Sequence, residues 1–123
     1  MPRVIISDTS CLIILIKIGE LELLRTLYKT VTITEEIVEE YGENLPDWIR
    51  VQQVKDHYSQ QLLEMHIGKG EASAIALALE SDDPVLILDD WKARKVAERL
   101  GIRVTGTLGV IIKAKKSGII PIH

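Results

Sequence analysis

The sequence predicts one α/β domain, a three-layer α/β/α arrangement around a central, mostly parallel sheet. Three observations predict it. Short β-branched runs alternate with helical patterns along the whole chain. The run "VLIL" at 85–88 is apolar on both faces, as befits a strand covered by helices on each side. The length of 123 residues suits one sizeable core and is too short for two.

Residues 3–7 read as the first strand. Residues 10–18 are apolar almost all round and form a buried helix ended by Gly19, with Asp8 or Ser10 as its N-cap. A second helix, 21–28, turns Leu23, Leu24 and Leu27 inward. "TVTIT" at 30–34 is a strand, and Thr34 caps the helix "EEIVEEYG", which stops at Gly42. Pro46 and Asp47 make a turn, 50–54 an edge strand and 56–66 a helix. "IGKG" is a loop before "EASAIALALE", a helix opened by Glu71 whose small residues allow close approach to a sheet. After the 85–88 strand come a helix at 90–100, the strand "IRVTG" and a last helix at 107–116.

Composition narrows the function. Aromatics are only 4%, so Ile, Leu, Val and Ala must build the core. Lys17 and Glu20 end the longest apolar run well short of a membrane span, and the N-terminus has no signal-peptide pattern. Cys11 is the one cysteine, which excludes an internal disulfide and a cysteine-built zinc site. A soluble, cytoplasmic protein is the expectation. Charge is uneven: residues 1–91 hold 17 acids and 7 bases, residues 92–123 hold 1 acid and 8 bases. That asymmetry points to a polyanionic partner for Lys92, Arg94 and Lys95, set against the plainer reading of solvated helix faces.

In a parallel sheet, function gathers at the C-terminal ends of the strands. Asp8 follows the first strand; Asp89 and Asp90 follow the 85–88 strand. Glu71 opens the small-residue helix, and Glu40 lies late on the helix after the second strand, one turn beyond Glu36. Brought together, Asp8, Glu40, Glu71 and Asp90 would repel one another and raise each other's pKa unless a cation intervened. An all-oxygen set suits Mg²⁺ or Mn²⁺. Each acid also has a structural reading. Asp8 caps a helix, Glu71 meets a helix dipole, and Glu35, Glu36, Glu39 and Glu40 form a solvated face. Trp91 either stacks a base or packs on the core edge. His57, His66 and His123 have no ligand or triad spacing, and "GKGE" lacks the features of a P-loop.

The blocks "IISDTSCLIIL", "ITEEIVEEYG", "GKGEASAIALALE" and "VLILDDWKARKVAERLGIRVTGTLGVIIKAK" occur in an order that resembles the PIN domain. The nearest likeness is to prokaryotic PIN-like proteins related to VapC toxins. The resemblance implies a metal-dependent ribonuclease whose four acids fall on Asp8, Glu40, Glu71 and Asp90, with Asp89 as the alternative for the last. Asp8, Asp90, Glu71 and Asp89 would serve Mg²⁺ or Mn²⁺, and Thr9 and Ser10 match the hydroxyl residue after the first acid. It further implies RNA as substrate, a small antitoxin as partner and a homodimer. Two departures stand out. Leu88 replaces the usual Thr of the fourth block, and a single domain over 1–123 lacks the family's customary C-terminal segment.

Two rivals stand beside this reading. One is a PIN fold with a weakened site that binds RNA or a partner without cleaving. The other is a haloacid-dehalogenase-like phosphatase using Asp8 as nucleophile, a reading that Ser10 weakens by standing where a second acid belongs.

Overall fold

The computed structural model describes residues 4–119. Five strands occur among them: β1 (Val4–Ser7), β2 (Val31–Thr34), β3 (Ile49–Gln52), β4 (Pro84–Ile87) and β5 (Arg103–Thr105). They form one sheet in the order β3-β2-β1-β4-β5. Every neighbouring pair is parallel, so the expected "mostly parallel" sheet is wholly so in this region. Parallel neighbours need crossover connections, and helices supply them. These are α1 (Thr9–Lys17), α2 (Glu22–Tyr28), α3 (Glu35–Tyr41), α4 (His57–Glu64), α5 (Lys69–Leu79), α6 (Trp91–Arg99) and α7 (Thr107–Lys116). The architecture is the three-layer α/β/α sandwich expected.

The inner strands are apolar because both faces are covered. All four residues of β2 are buried, as are three of four in β1. Helix α5 lies against β1, β2 and β4, with α3, α4 and α6 packed on it. Its Ala72, Ala74, Ala76 and Ala78 are all buried, since the short side chains let the helix axis come close to the sheet. Helix α7 packs with α1 and α2. Ile6, Leu12, Ile33, Ile75, Leu86 and Ile87 fill the space between the layers. Burying one such side chain stabilises the fold by roughly 1.5–3 kcal/mol.

Helix ends follow the chemistry of their sequence, with two shifts. Thr34 caps α3 through Ile37 N–H, and Gly42 closes that helix in the left-handed conformation. The helix expected to open at Glu71 begins two residues earlier, at Lys69, with Gly68 as N-cap. "IGKG" is therefore partly helical. The cap of α1 is Asp8; Ser10 is exposed on the first turn. Arg3, His123 and the sequence after Ile119 lie outside the described residues. No helix of the described residues is long and apolar enough to cross a membrane.

Candidate functional site

Strands β1 and β4 lie side by side at the centre of the sheet, and both run toward the same edge. The chain leaves β1 at Asp8 and passes Leu88 after β4 to reach Asp89 and Asp90. The backbone N–H of Asp8 donates to Ile87 O at 2.9 Å, so the two departures are stitched together.

Asp8 is only 4% exposed. One carboxylate oxygen accepts from Cys11 N–H at 2.8 Å, capping α1. The other accepts from Asp89 N–H at 2.9 Å. The residue thus does both things the sequence offered: it caps a helix and it stands at the acidic edge. Burial pushes its carboxyl up to about 6; the two N–H donors oppose the rise, and the charges of Asp89 and Glu71 add to it.

Glu71 arrives from the first turn of α5. Its carboxyl is raised, first by burial and then by the charges of Asp90 and Glu40, while the Gly68 N–H pulls the other way. This is half of a capping box, with the third helical residue reaching back to the N-cap. Glu40 comes from the last turn of α3. Its carboxylate accepts from the hydroxyl of buried Thr9. It lies over Gly70, where a Cβ would stand 2.9 Å and 3.1 Å from its two oxygens. Gly70 is a residue that sequence reasoning passed over; its place one residue before Glu71 was the available signal.

The two aspartates after β4 differ. Asp89 accepts from Thr107 N–H at 2.8 Å and from Thr107 Oγ1 at 2.5 Å, which anchors the start of α7. Asp90 caps α6 through Ala93 N–H at 2.9 Å and is otherwise exposed. Leu88, in place of the usual threonine, is fully buried, and Thr107 provides the hydroxyl near Asp89 instead.

Five carboxylates therefore converge in an electrostatic chain: Asp89 and Glu71 act on Asp8, and Asp90 and Glu40 act on Glu71. Among the described residues no group of three or more acids, histidines or cysteines is close enough to hold a metal ion as it stands. The acids instead lean on backbone N–H groups at the starts of α1, α5, α6 and α7. Helix N-termini carry partial positive charge, which offsets mutual repulsion. The donor set, all carboxylate oxygen with hydroxyls beside it, is chemically suited to a hard divalent cation.

The expected basic trio does not stay together. Lys92 and Lys95 are three apart on α6 and border one groove. Arg94 is two residues from Lys92, and residues two apart do not share a helix face. Its Nη1 donates to Leu88 O at 3.4 Å. A Cβ on Gly106 would meet that nitrogen at 2.7 Å and Asp89 Oδ1 at 3.0 Å, so glycine leaves the room they occupy. Arg94 is thus a cation of the acidic edge. Trp91, weighed as a core-edge residue, is 71% exposed. Cys11 is buried in the core, and burial pushes its thiol up to about 11.

No curated protein matches the chain in a sequence comparison. A family model described as a PIN domain matches residues 4–123. That match spans all five parallel strands and every carboxylate of the central edge. The chain belongs to the PIN domain family, whose fold is of the nuclease type.

Proposed function

We propose that this protein is a Mg²⁺- or Mn²⁺-dependent endoribonuclease working at the acidic edge of the sheet. The observation that supports it most is that acids from four separate segments meet at one edge: Asp8 accepts from Asp89 N–H, with Asp90 next in the chain, and Glu40 accepts from Thr9 and lies over Gly70, the neighbour of Glu71. Burial and neighbouring like charges are the means by which active sites shift carboxyl pKa values.

Asp8 and Asp90 would hold the ion, with Glu71 and Asp89 beside them and Glu40 acting at the rim. A bound divalent cation acidifies water and neutralises charge on a phosphoryl oxygen. Cys11 N–H and Asp89 N–H fix the direction of the Asp8 carboxylate. Glu71, beside the ion, would accept the proton of the attacking water. Thr9 holds Glu40 in place. Arg94 faces the same edge and would balance charge on the phosphate. No covalent protein intermediate is needed. The product ends are those of phosphodiester hydrolysis.

The resemblance to VapC-related proteins supports a finer role as the toxin of a toxin–antitoxin pair, held by a small antitoxin and acting as a homodimer in the cytoplasm. A second reading, an RNA- or partner-binding module without cleavage, draws on Leu88 where the family has a hydroxyl. The phosphatase reading is disfavoured by membership in the PIN family and by Ser10, which is exposed on α1 rather than paired with Asp8.

The test is cleavage of a labelled RNA by purified protein with Mn²⁺, Mg²⁺ or chelator, beside the Asp8→Asn variant. Cleavage that needs the ion and vanishes in Asp8→Asn is expected. Cleavage indifferent to both would sink the proposal, and salt-dependent binding with no cleavage at all would favour the binding module.

A further inference from the structure

We infer that the groove between α4 and α6 is a subsite that stacks one unpaired nucleotide of a bound RNA on Trp91. The inference rests on the reading of RNA as substrate and extends it to a part of the surface outside the acidic edge. The groove measures about 430 Å³, within the range of about 300–1,000 Å³ usual for small-molecule sites. Its lining includes Trp91, the first residue of α6 and the one directly after Asp90.

Trp91, Lys95 and Arg99 follow one another at intervals of four on α6 and form a stripe about 12 Å long. Lys95 Nζ lies 4.4 Å from the centre of the Trp91 ring. A cation there covers part of the indole, yet the residue remains 71% exposed. Val96 and Leu63 give the groove an apolar floor, and Lys92 stands on its rim. None of the lining residues is acidic, although acids outnumber bases 18 to 15 in the chain.

This combination fits a stacked base flanked by phosphates. An exposed aromatic ring offers a platform to any base, and lysine or arginine at one-turn spacing tracks a backbone. Trp91 and Arg99 would suit a docked protein too, but the paired lysines Lys92 and Lys95 favour a phosphate backbone, since lysine is depleted at protein interfaces. A duplex keeps its bases stacked on one another, so only its phosphates could meet this groove. Base edges could meet only His66, Lys92, Lys95 or Arg99, while stacking on Trp91 is itself tolerant of sequence.

The experiment is done in chelator, so that binding is read without cleavage. In a Trp48→Phe background Trp91 is the only tryptophan and its fluorescence reports the groove. A 12-nucleotide single strand should quench it and bind at least tenfold tighter than a duplex of the same length. Trp91→Ala should weaken single-strand binding by about tenfold to a hundredfold, with Trp91→Phe largely retained. Lys95→Ala and Arg99→Ala should each lower the salt slope of log Kd by roughly 0.7. The side chains are exposed, so thermal unfolding of each variant should match the parent.

Equal affinity for single strand and duplex, absence of quenching, or full affinity in Trp91→Ala would overturn the subsite. So would a Trp91 signal that follows protein concentration instead of RNA, which would mark the groove as a contact between two copies. Binding that behaves as expected in a protein unable to cleave would leave the subsite standing and count against the nuclease reading alone. Cleavage that proceeds identically in Trp91→Ala would do the reverse.

Discussion

Asp8 and Asp89, 81 residues apart in sequence, are joined by a hydrogen bond of 2.9 Å from the backbone N–H of Asp89 to the Asp8 carboxylate. The contact ties the exits of β1 and β4 into one unit. It also places the least exposed acid of the site against the loop that carries two others. Several properties of the protein should depend on that arrangement.

The first is pH dependence of stability. The folded carboxyl of Asp8 sits at about 6, while the unfolded group titrates near 4. The folded state therefore binds the proton more tightly. Its advantage is present below the unfolded value and is lost as pH rises through about 6. In chelator, heat unfolding should come later at pH 4.5 than at pH 7, by an amount on the order of 2 kcal/mol from this group. Asp8→Asn should flatten that part of the profile. A wild-type profile that climbs between pH 5 and 7, and is unchanged by the substitution, would contradict the burial argument.

Divalent cations should reverse the penalty. An ion shared by the acids stabilises the folded state by about 2.7 kcal/mol at a hundredfold excess over its Kd. For a domain of this size that corresponds to about 10 °C in Tm. Mn²⁺ titrated at pH 7 should raise the melting point of the wild type and leave Asp8→Asn nearly unmoved. Equal shifts in both proteins would place the ion elsewhere.

Gly70→Ala isolates Glu40. The new methyl would fall 2.9 Å from a Glu40 oxygen, and the carboxylate, at the tip of a flexible side chain, must swing away. Alanine also favours the helix by roughly 0.5–1 kcal/mol over glycine. Melting should hold steady or rise slightly, while RNA cleavage falls about tenfold or more, as misplacement by an ångström typically causes. An unaltered cleavage rate would remove Glu40 from the site.

The two aspartates after β4 should separate by readout. Asp89→Ala strips both the N–H and the hydroxyl of Thr107 of their acceptor and should cost about 1–2 kcal/mol. Asp90→Asn retains a capping oxygen for Ala93 N–H and should cost only a few tenths of a kcal/mol. Cleavage should nonetheless fall at least a hundredfold in Asp90→Asn, because the lost charge is the one left free for an ion. If denaturant unfolding ranks the two variants the other way, their roles are exchanged.

The chain alone determined the alternation of strands and helices, the burial of Leu86, Ile87 and Leu88 in "VLIL" and the caps at Thr34 and Gly42. These depend on local periodicity and turn chemistry, which a few adjacent residues carry. It also marked the acids at strand ends, since a carboxylate closing an apolar run is conspicuous in any register. Only the tertiary structure decided which of them act on one another. Whether Glu36 or Glu40 reaches the edge depends on how α3 rolls against α5 and on the missing side chain of Gly70. Arg94 parted from Lys92 and Lys95 through helix rotation, and Trp91 was left in solvent because α4 and α6 do not close over it. Electrostatic coupling falls off with distance through space, and distance between segments remote in sequence exists only once the sheet has brought β1 and β4 together.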